Sequence, residues 1–363
     1  MIYRIDEDTL RKAAELLCAG ELAAFPTETV YGLGGDAFNA GALAKIFDVK
    51  KRPRFDPLIV HIAETGTMDT LADLSLLEKA NREKAALLTR RFWPGPLTLV
   101  LPRRPSVPAL VSSGLPTVAL RFPSHPAAQK LIRYSTGAVA APSANSFGRL
   151  SPTRAEHVEA DLGGSIAMIL DGGPCRVGVE STVLDLTGGL PRILRPGGLP
   201  REEIEALIGE TAHTPLGGAP GVQASPGMLK SHYAPRTTLI LHSGKEMAEL
   251  PFRQNGAYLF FDRHSMEKWL ADSVQNPQAA EGIFYLSENG DTLEAAGRLF
   301  GILHHVDGLG KALIHAEEAP PEGLGAAIND RLIRAAAQKT DGIPNPESQT
   351  PLQGYVWAGR GNG

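Results

Sequence analysis

Apolar residues recur three and four apart over 8–19, DTLRKAAELLCA. Leu10, Ala13, Ala14, Leu16 and Leu17 fall on one stripe and predict a helix, with Gly20 suited to its end. Glu21–Phe25 is short and apolar and reads as a strand. Similar signals predict helices at 40–48, 76–91 and 125–134. Strands are expected at 58–63, 97–101, 118–122, 138–141, 166–170, 182–186 and 192–194. After a short helix at 201–208 the period disappears. The stretch GETAHTPLGGAPGVQASPGMLKSHYAPR is rich in Gly, Pro and small residues and reads as a linker over 209–236. A second βα pattern starts at 237, with strands TTLILH, GAYLFF and GIFYLS, helix 292–305, strand 312–315 and helix 324–337. The tail 341–363 has no period and reads as loose.

Strands mixed with helices predict an α/β protein with a large twisted, partly parallel sheet, followed by a smaller doubly wound α/β domain. A length of 363 residues supports two domains rather than one. The boundaries expected are 1–208, the linker 209–236, a C-terminal domain 237–340 and the tail.

Composition adds exclusions. The chain is 43% hydrophobic and 21% charged, which is ordinary for a soluble globular protein. A net charge of −4 argues against a general nucleic-acid binder, although a local basic patch fits it. No apolar run has the length of a membrane helix, and the N-terminus lacks the pattern of a secretory signal. Two cysteines, Cys18 and Cys175, give neither a disulfide framework nor metal spacing. A reducing, cytoplasmic setting is expected.

Four segments carry candidate chemistry. In PTETVYGLGGDA, 26–37, Gly32-x-Gly34-x-x-Ala37 loosely matches a dinucleotide fingerprint, but Lys50, Lys51 and Arg52 follow where a ribose-binding acid belongs. The plain alternative there is a glycine turn into a helix. The hydroxyls Thr27, Thr29 and Tyr31 at a strand end are the better lead. The run KKRPRFDP, 50–57, is read alone as a solvated charged face. Placed before an apolar strand, its prolines allow a rigid loop that aims cations at an anion. APSANSFG, 141–148, is a turn by default, with Ser143 and Asn145 able to offer hydrogen bonds. VESTV, 179–183, and Arg195 read as strand and surface, and His61 inside LIVHIA reads as a core histidine. No metal motif, nucleophile elbow or Walker loop is visible. The residues alone describe a cationic, hydroxyl-rich cleft suited to a phosphorylated ligand.

Taken in order, PTETVYGLG, the Lys50–Ile62 segment, LRFP, APSAN and ESTVLD resemble the YrdC family. SPGMLKSHYAP and the C-terminal domain resemble its longer, two-domain form. The resemblance implies a twisted open sheet with a concave basic cleft, and a Rossmann-like second domain. It implies an enzyme, a nucleotidyltransferase that joins L-threonine, bicarbonate or CO2 and ATP into threonylcarbamoyl-adenylate and pyrophosphate. The product serves threonylcarbamoyladenosine modification of ANN-decoding tRNAs through a separate transferase complex. It implies Lys50, Arg52, Ser143 and Asn145 as the catalytic quartet, and Thr29, His61, Arg121, Ala141 and Ser181 as threonine-binding. Arg52, Asp56, Thr117, Ser143, Ser151, Arg195 and Tyr233 are implied as ATP-binding. Mg²⁺ is expected on the ATP phosphates, with no metal site from protein alone. Asp56 stands where relatives often have Asn, and Arg54 is the cation expected to offset it. The linker is expected to close as an active-site lid, with Tyr233 on the nucleotide. The alternative is a module that grips double-stranded RNA or tRNA without catalysis.

Overall fold

The structure, a computed structural model, describes residues 1–213, 232–273 and 282–337. Most of the expected linker and the whole expected tail therefore lie outside the described residues.

The first sheet holds β1 (Ile2–Arg4), β2 (Ala23–Phe25), β3 (Gly32–Asp36), β4 (Ile59–Ile62), β5 (Leu97–Pro102), β6 (Thr117–Arg121), β7 (Ala138–Ala140), β8 (Met168–Asp171), β9 (Thr182–Asp185), β10 (Arg192–Arg195) and β11 (Ala212–His213). Their spatial order is β1-β8-β2-β3-β7-β4-β6-β5-β9-β10-β11, with parallel and antiparallel pairs mixed. The second sheet holds β12 (Thr238–His242), β13 (Gly256–Asp262), β14 (Ile283–Ser287) and β15 (Leu313–Glu317), all parallel, in the order β12-β15-β13-β14.

Local chemistry sets the helices that matter here. The predicted first helix spans Glu7–Cys18, and Asp6 and Thr9 cap it reciprocally. Leu10, Ala13, Ala14 and Leu17 are buried as the stripe demands, whereas Leu16 is only half-buried. The second helix spans Ala40–Lys50, with Asn39 accepting from the amides of Gly41 and Ala42. It stops at Lys51, which adopts a left-handed conformation with φ of 52°.

The glycine-rich stretch corrects an expectation. Residues 32–36 are not a turn into a helix but strand β3, antiparallel to β2, with Leu33 opposite Ala24. The glycines are steric. A Cβ on Gly34 would lie 2.8 Å from the Phe25 ring and 3.0 Å from a Val139 methyl.

Loops of the first unit pack into the core of the second. Val30, Leu150, Val177 and Val179 pack in one cluster with Leu259, Phe300, Ile314 and Leu332. At Gly178, φ +73°, a Cβ would come within 2.4 Å of the Ala296 carbonyl oxygen and 2.6 Å of the Gly297 Cα. There the two units touch backbone to backbone. Beside it, His157 stacks on His304 with ring centroids 3.9 Å apart.

Candidate functional site

Where β4, β6, β5, β9 and β10 adjoin, one face of the first sheet carries Ile59, Ala119, Val100, Val183 and Leu194. A hollow of about 530 Å³, counted out to open solvent, lies over Ile59. That size suits a small organic ligand.

One end of the hollow is cationic. The left-handed turn at Lys51 sends Lys50 and Arg52 to different places. Lys50 is wholly buried behind the wall, and its Nζ donates to the carbonyls of Ser143 and Asn145. Burial, then Arg52, lowers its pKa to about 7. Arg52 lines the hollow itself. Its Nε donates to the Asp56 carbonyl at 3.1 Å and its guanidinium donates to the Pro57 carbonyl at 2.8 Å. The same guanidinium lies 2.8 Å from an Asp56 carboxylate oxygen. So the cation that offsets Asp56 is Arg52, not Arg54. The turn closed by the Asp56 amide on the Pro53 carbonyl leaves Arg54 and Phe55 exposed. Burial pushes the Asp56 carboxyl up, against the pull of Arg52 and Lys50.

Ser143 and Arg195 also line the hollow. Arg195 is buried and donates to the carbonyl and hydroxyl of Ser181. Asn145 does not reach the surface of the hollow. Its amide donates to the carbonyls of Ser146 and Arg149 and shapes the turn from behind. Thr117 is not among the lining residues either. It opens β6, and since Ile59 pairs with Ala119 in parallel, Thr117 stands at the Asp56–Pro57 end, on the face that carries Arg121.

Thr29, His61, Arg121 and Ala141 line the hollow too, as does Ser181 beside Arg195. His61 pairs with Arg121 across β4 and β6. Arg121 donates to the Thr29 hydroxyl at 2.8 Å and pairs with Glu28 at 2.8 Å. Ser181 shares a hydrogen bond of 2.7 Å with Thr98. Burial, then Arg121, holds the His61 pKa down to about 3, so the ring is neutral near pH 7, and its buried Nδ1 has no hydrogen-bond partner among the described residues. His61 is thus both a buried residue and a wall of the hollow.

Across the mouth stand His232 and Tyr233, the described end of the linker. Tyr233 is buried, with φ of 63°, and the Ala234 amide donates to the Gly148 carbonyl. Ser151 lies one layer out, donating to Glu180 at 2.5 Å. Glu180 lines the hollow and pairs with Arg331 of the second unit at 2.8 Å. The sequence reading missed Glu28, Glu180 as a site residue, and Arg331. Only the neighbouring hydroxyl motifs hinted at the first two, and nothing local marks Arg331.

Among the described residues no cluster of three or more His, Cys, Asp or Glu side chains could hold a metal. Asp56 and Glu180, the carboxylates at the cationic end, are each tied to an arginine. No helix among them is long and apolar enough to cross a membrane.

A family model described as "Telomere recombination", that of the Sua5, YciO and YrdC proteins, matches residues 15–197. A second, described as "Threonylcarbamoyl-AMP synthase, C-terminal domain", matches residues 199–337. A threonylcarbamoyl-AMP synthase of Pyrococcus abyssi is 44% identical over 347 residues, covering 93% of this chain and 96% of the relative. That of Bacillus subtilis is 40% identical over 348 residues, covering 91% and 94%. The crystal structure of P. abyssi Sua5 complexed with L-threonine aligns with a TM-score of 0.82 at 41% identity, covering 93% of this chain and 97% of that one.

Proposed function

This chain belongs to the Sua5–YciO–YrdC family, and from that premise we propose that its hollow joins L-threonine, bicarbonate or CO2 and ATP into threonylcarbamoyl-adenylate, releasing pyrophosphate. The observation that carries this reading is the meeting of three arginines, Arg52, Arg121 and Arg195, with the hydroxyls of Thr29, Ser143 and Ser181 in one hollow. It is a nucleotidyltransferase, working in threonylcarbamoyladenosine modification of tRNA.

The reaction needs positioning and charge neutralisation rather than a protein nucleophile. Arg52 and Arg195, with Ser143, take the triphosphate. Lys50 and Asn145 act from behind by fixing the 143–149 turn. Asp56 orients Arg52, Ser151 and Tyr233 flank the nucleotide, and Thr117 meets its outer part. Magnesium would be carried by the ATP phosphates, where it would neutralise their charge, and the carboxylates of Asp56 and Glu180 already have arginine partners.

Arg121 takes the threonine carboxylate, with Thr29, Ala141 and Ser181 around it. The neutral His61 ring forms part of the wall beside it. The threonine amine, having shed a proton, attacks CO2 to give an N-carboxylate and a second proton. That carboxylate oxygen attacks the α-phosphorus, and pyrophosphate leaves with the broken P–O electron pair. Carbamates hydrolyse readily, so the site has to exclude water. His232 and Tyr233, the described end of the 209–236 linker, shield the mouth in this reading, and the lid expected over the rest of that segment lies outside the described residues. The unit 1–208 carries the chemistry and 237–340 buttresses it. The setting is cytoplasmic, and the product passes to a transferase complex acting on tRNA.

Pyrophosphate release, with threonine, bicarbonate and ATP omitted in turn, tests this reading. Release is expected only with all three. Salt-dependent RNA binding without release would favour the RNA-gripping alternative instead.

A further inference from the structure

Helix Gly325–Ala336 of the second unit sends one wholly buried side chain, Arg331, to the rim of the hollow. Its Nε donates to Glu180 at 2.8 Å, and a terminal nitrogen donates to the Pro196 carbonyl at 2.6 Å. That nitrogen also lies 3.0 Å from Asp330, which holds Arg334 at 2.9 Å. The Arg331 guanidinium sits over the Tyr233 ring, 5.3 Å from its centre. Glu180 in turn takes the Ser151 hydroxyl, and the Gly198 amide donates to its carbonyl. The Arg334 carbonyl accepts from the His232 amide. One helix thereby ties together Ser151, Glu180, Pro196 next to Arg195, and the linker pair His232–Tyr233.

The electrostatics explain the need. Glu180 is a buried carboxylate on the wall of a hollow meant for a polyanion. Burial works against its charge, but Arg331 and Arg195 hold it ionised below the ordinary range. With Arg331 gone, Glu180 would draw Arg195 toward itself and repel phosphate.

We propose that Arg331 is a positioning residue for nucleotide binding, supplied to the hollow by the second unit. It neutralises Glu180 beside Arg195 and supports Tyr233 from beneath. This rests on the ATP-using reading above. It gives the C-terminal unit a direct part in the site.

The test compares full-length wild type with Arg331→Met, Glu180→Gln and the double variant. ATP affinity is measured by calorimetric titration, and both KM values by pyrophosphate release. Arg331→Met should weaken ATP about tenfold or more while the threonine KM moves less than about threefold. The double variant, with no stranded carboxylate, should recover most of the ATP affinity. Wild-type ATP affinity in Arg331→Met overturns the role, as does equal loss of both substrates or a double variant no better than Arg331→Met. If Arg331→Met fails to fold, Arg331→Lys decides. It keeps a charge but loses the fork that serves Glu180 and Pro196 together, and an unchanged ATP affinity there also overturns the proposal. Titration separates the two readings. Wild type that binds ATP without releasing pyrophosphate sinks the reaction but leaves the positioning role measurable.

Discussion

The Arg121 guanidinium lies 2.8 Å from the Glu28 carboxylate, and both side chains are 4% exposed. Glu28 is fixed in its turn by the Ser124 amide at 3.1 Å. A buried pair is worth little over an apolar substitute, but breaking it strands a charge. Glu28→Ala should therefore cost about 3 kcal/mol of stability in urea unfolding. A loss below about 1 kcal/mol would show that solvent or another group takes over the Arg121 charge.

Arg52 faces the hollow, whereas Lys50 is hidden behind it. Arg52→Ala should cost at least about 2 kcal/mol in kcat/KM for ATP, roughly a thirtyfold loss, because a charge-assisted phosphate contact disappears. Kinetics within threefold of wild type would place the phosphates elsewhere.

Gly197 follows Pro196 at the end of β10, and a Cβ there would fall 2.3 Å from the Ser181 carbonyl carbon and 2.4 Å from the Thr182 nitrogen. Both are backbone atoms, the first of Ser181 in the hollow's wall, and cannot rotate away. Gly197→Ala should destabilise by about 2 kcal/mol or more and impair turnover. A variant with unchanged melting temperature and turnover would mean that the wall yields easily.

The stacked pair His157 and His304 titrates against the fold. Burial, then His304, lowers the His157 pKa from 6.5 to about 3. Between those values the unfolded chain binds the proton and the folded chain does not. Stability should therefore fall as pH drops from about 6.5 toward 3. Melting temperatures followed over that window should decline less steeply in His157→Asn. Parallel curves would show that the stack contributes nothing to acid sensitivity.

Local signals made much of this legible. The apolar stripe of 8–19 became helix Glu7–Cys18, and LIVHIA became β4 with His61 in it. The motifs around Arg52, Ser143 and Arg195 led to one hollow. Strand β3 was missed because glycines carry no alternation to read, and what requires them is Phe25 and Val139 on neighbouring strands. β1 was missed because its three residues are half-exposed or exposed and are held by pairing with distant β8. Glu28–Arg121 and Glu180–Arg331 were beyond reach for a related reason. Each pairs a glutamate with an arginine far along the chain, and only the folded arrangement identifies the partner.

The bare contact of Gly178 with Gly297 has a mechanical implication. Main chain resting on main chain leaves no slack there, and the shared apolar core beside it, Val30, Leu150, Val177 and Val179 with Phe300 and Leu332, makes the halves resist swinging apart as a clamshell would. Traffic of substrate in and adenylate out then has to use short-range rearrangement at the mouth, near His232 and Tyr233. A glycine seam thus assigns motion to small elements and denies it to large ones.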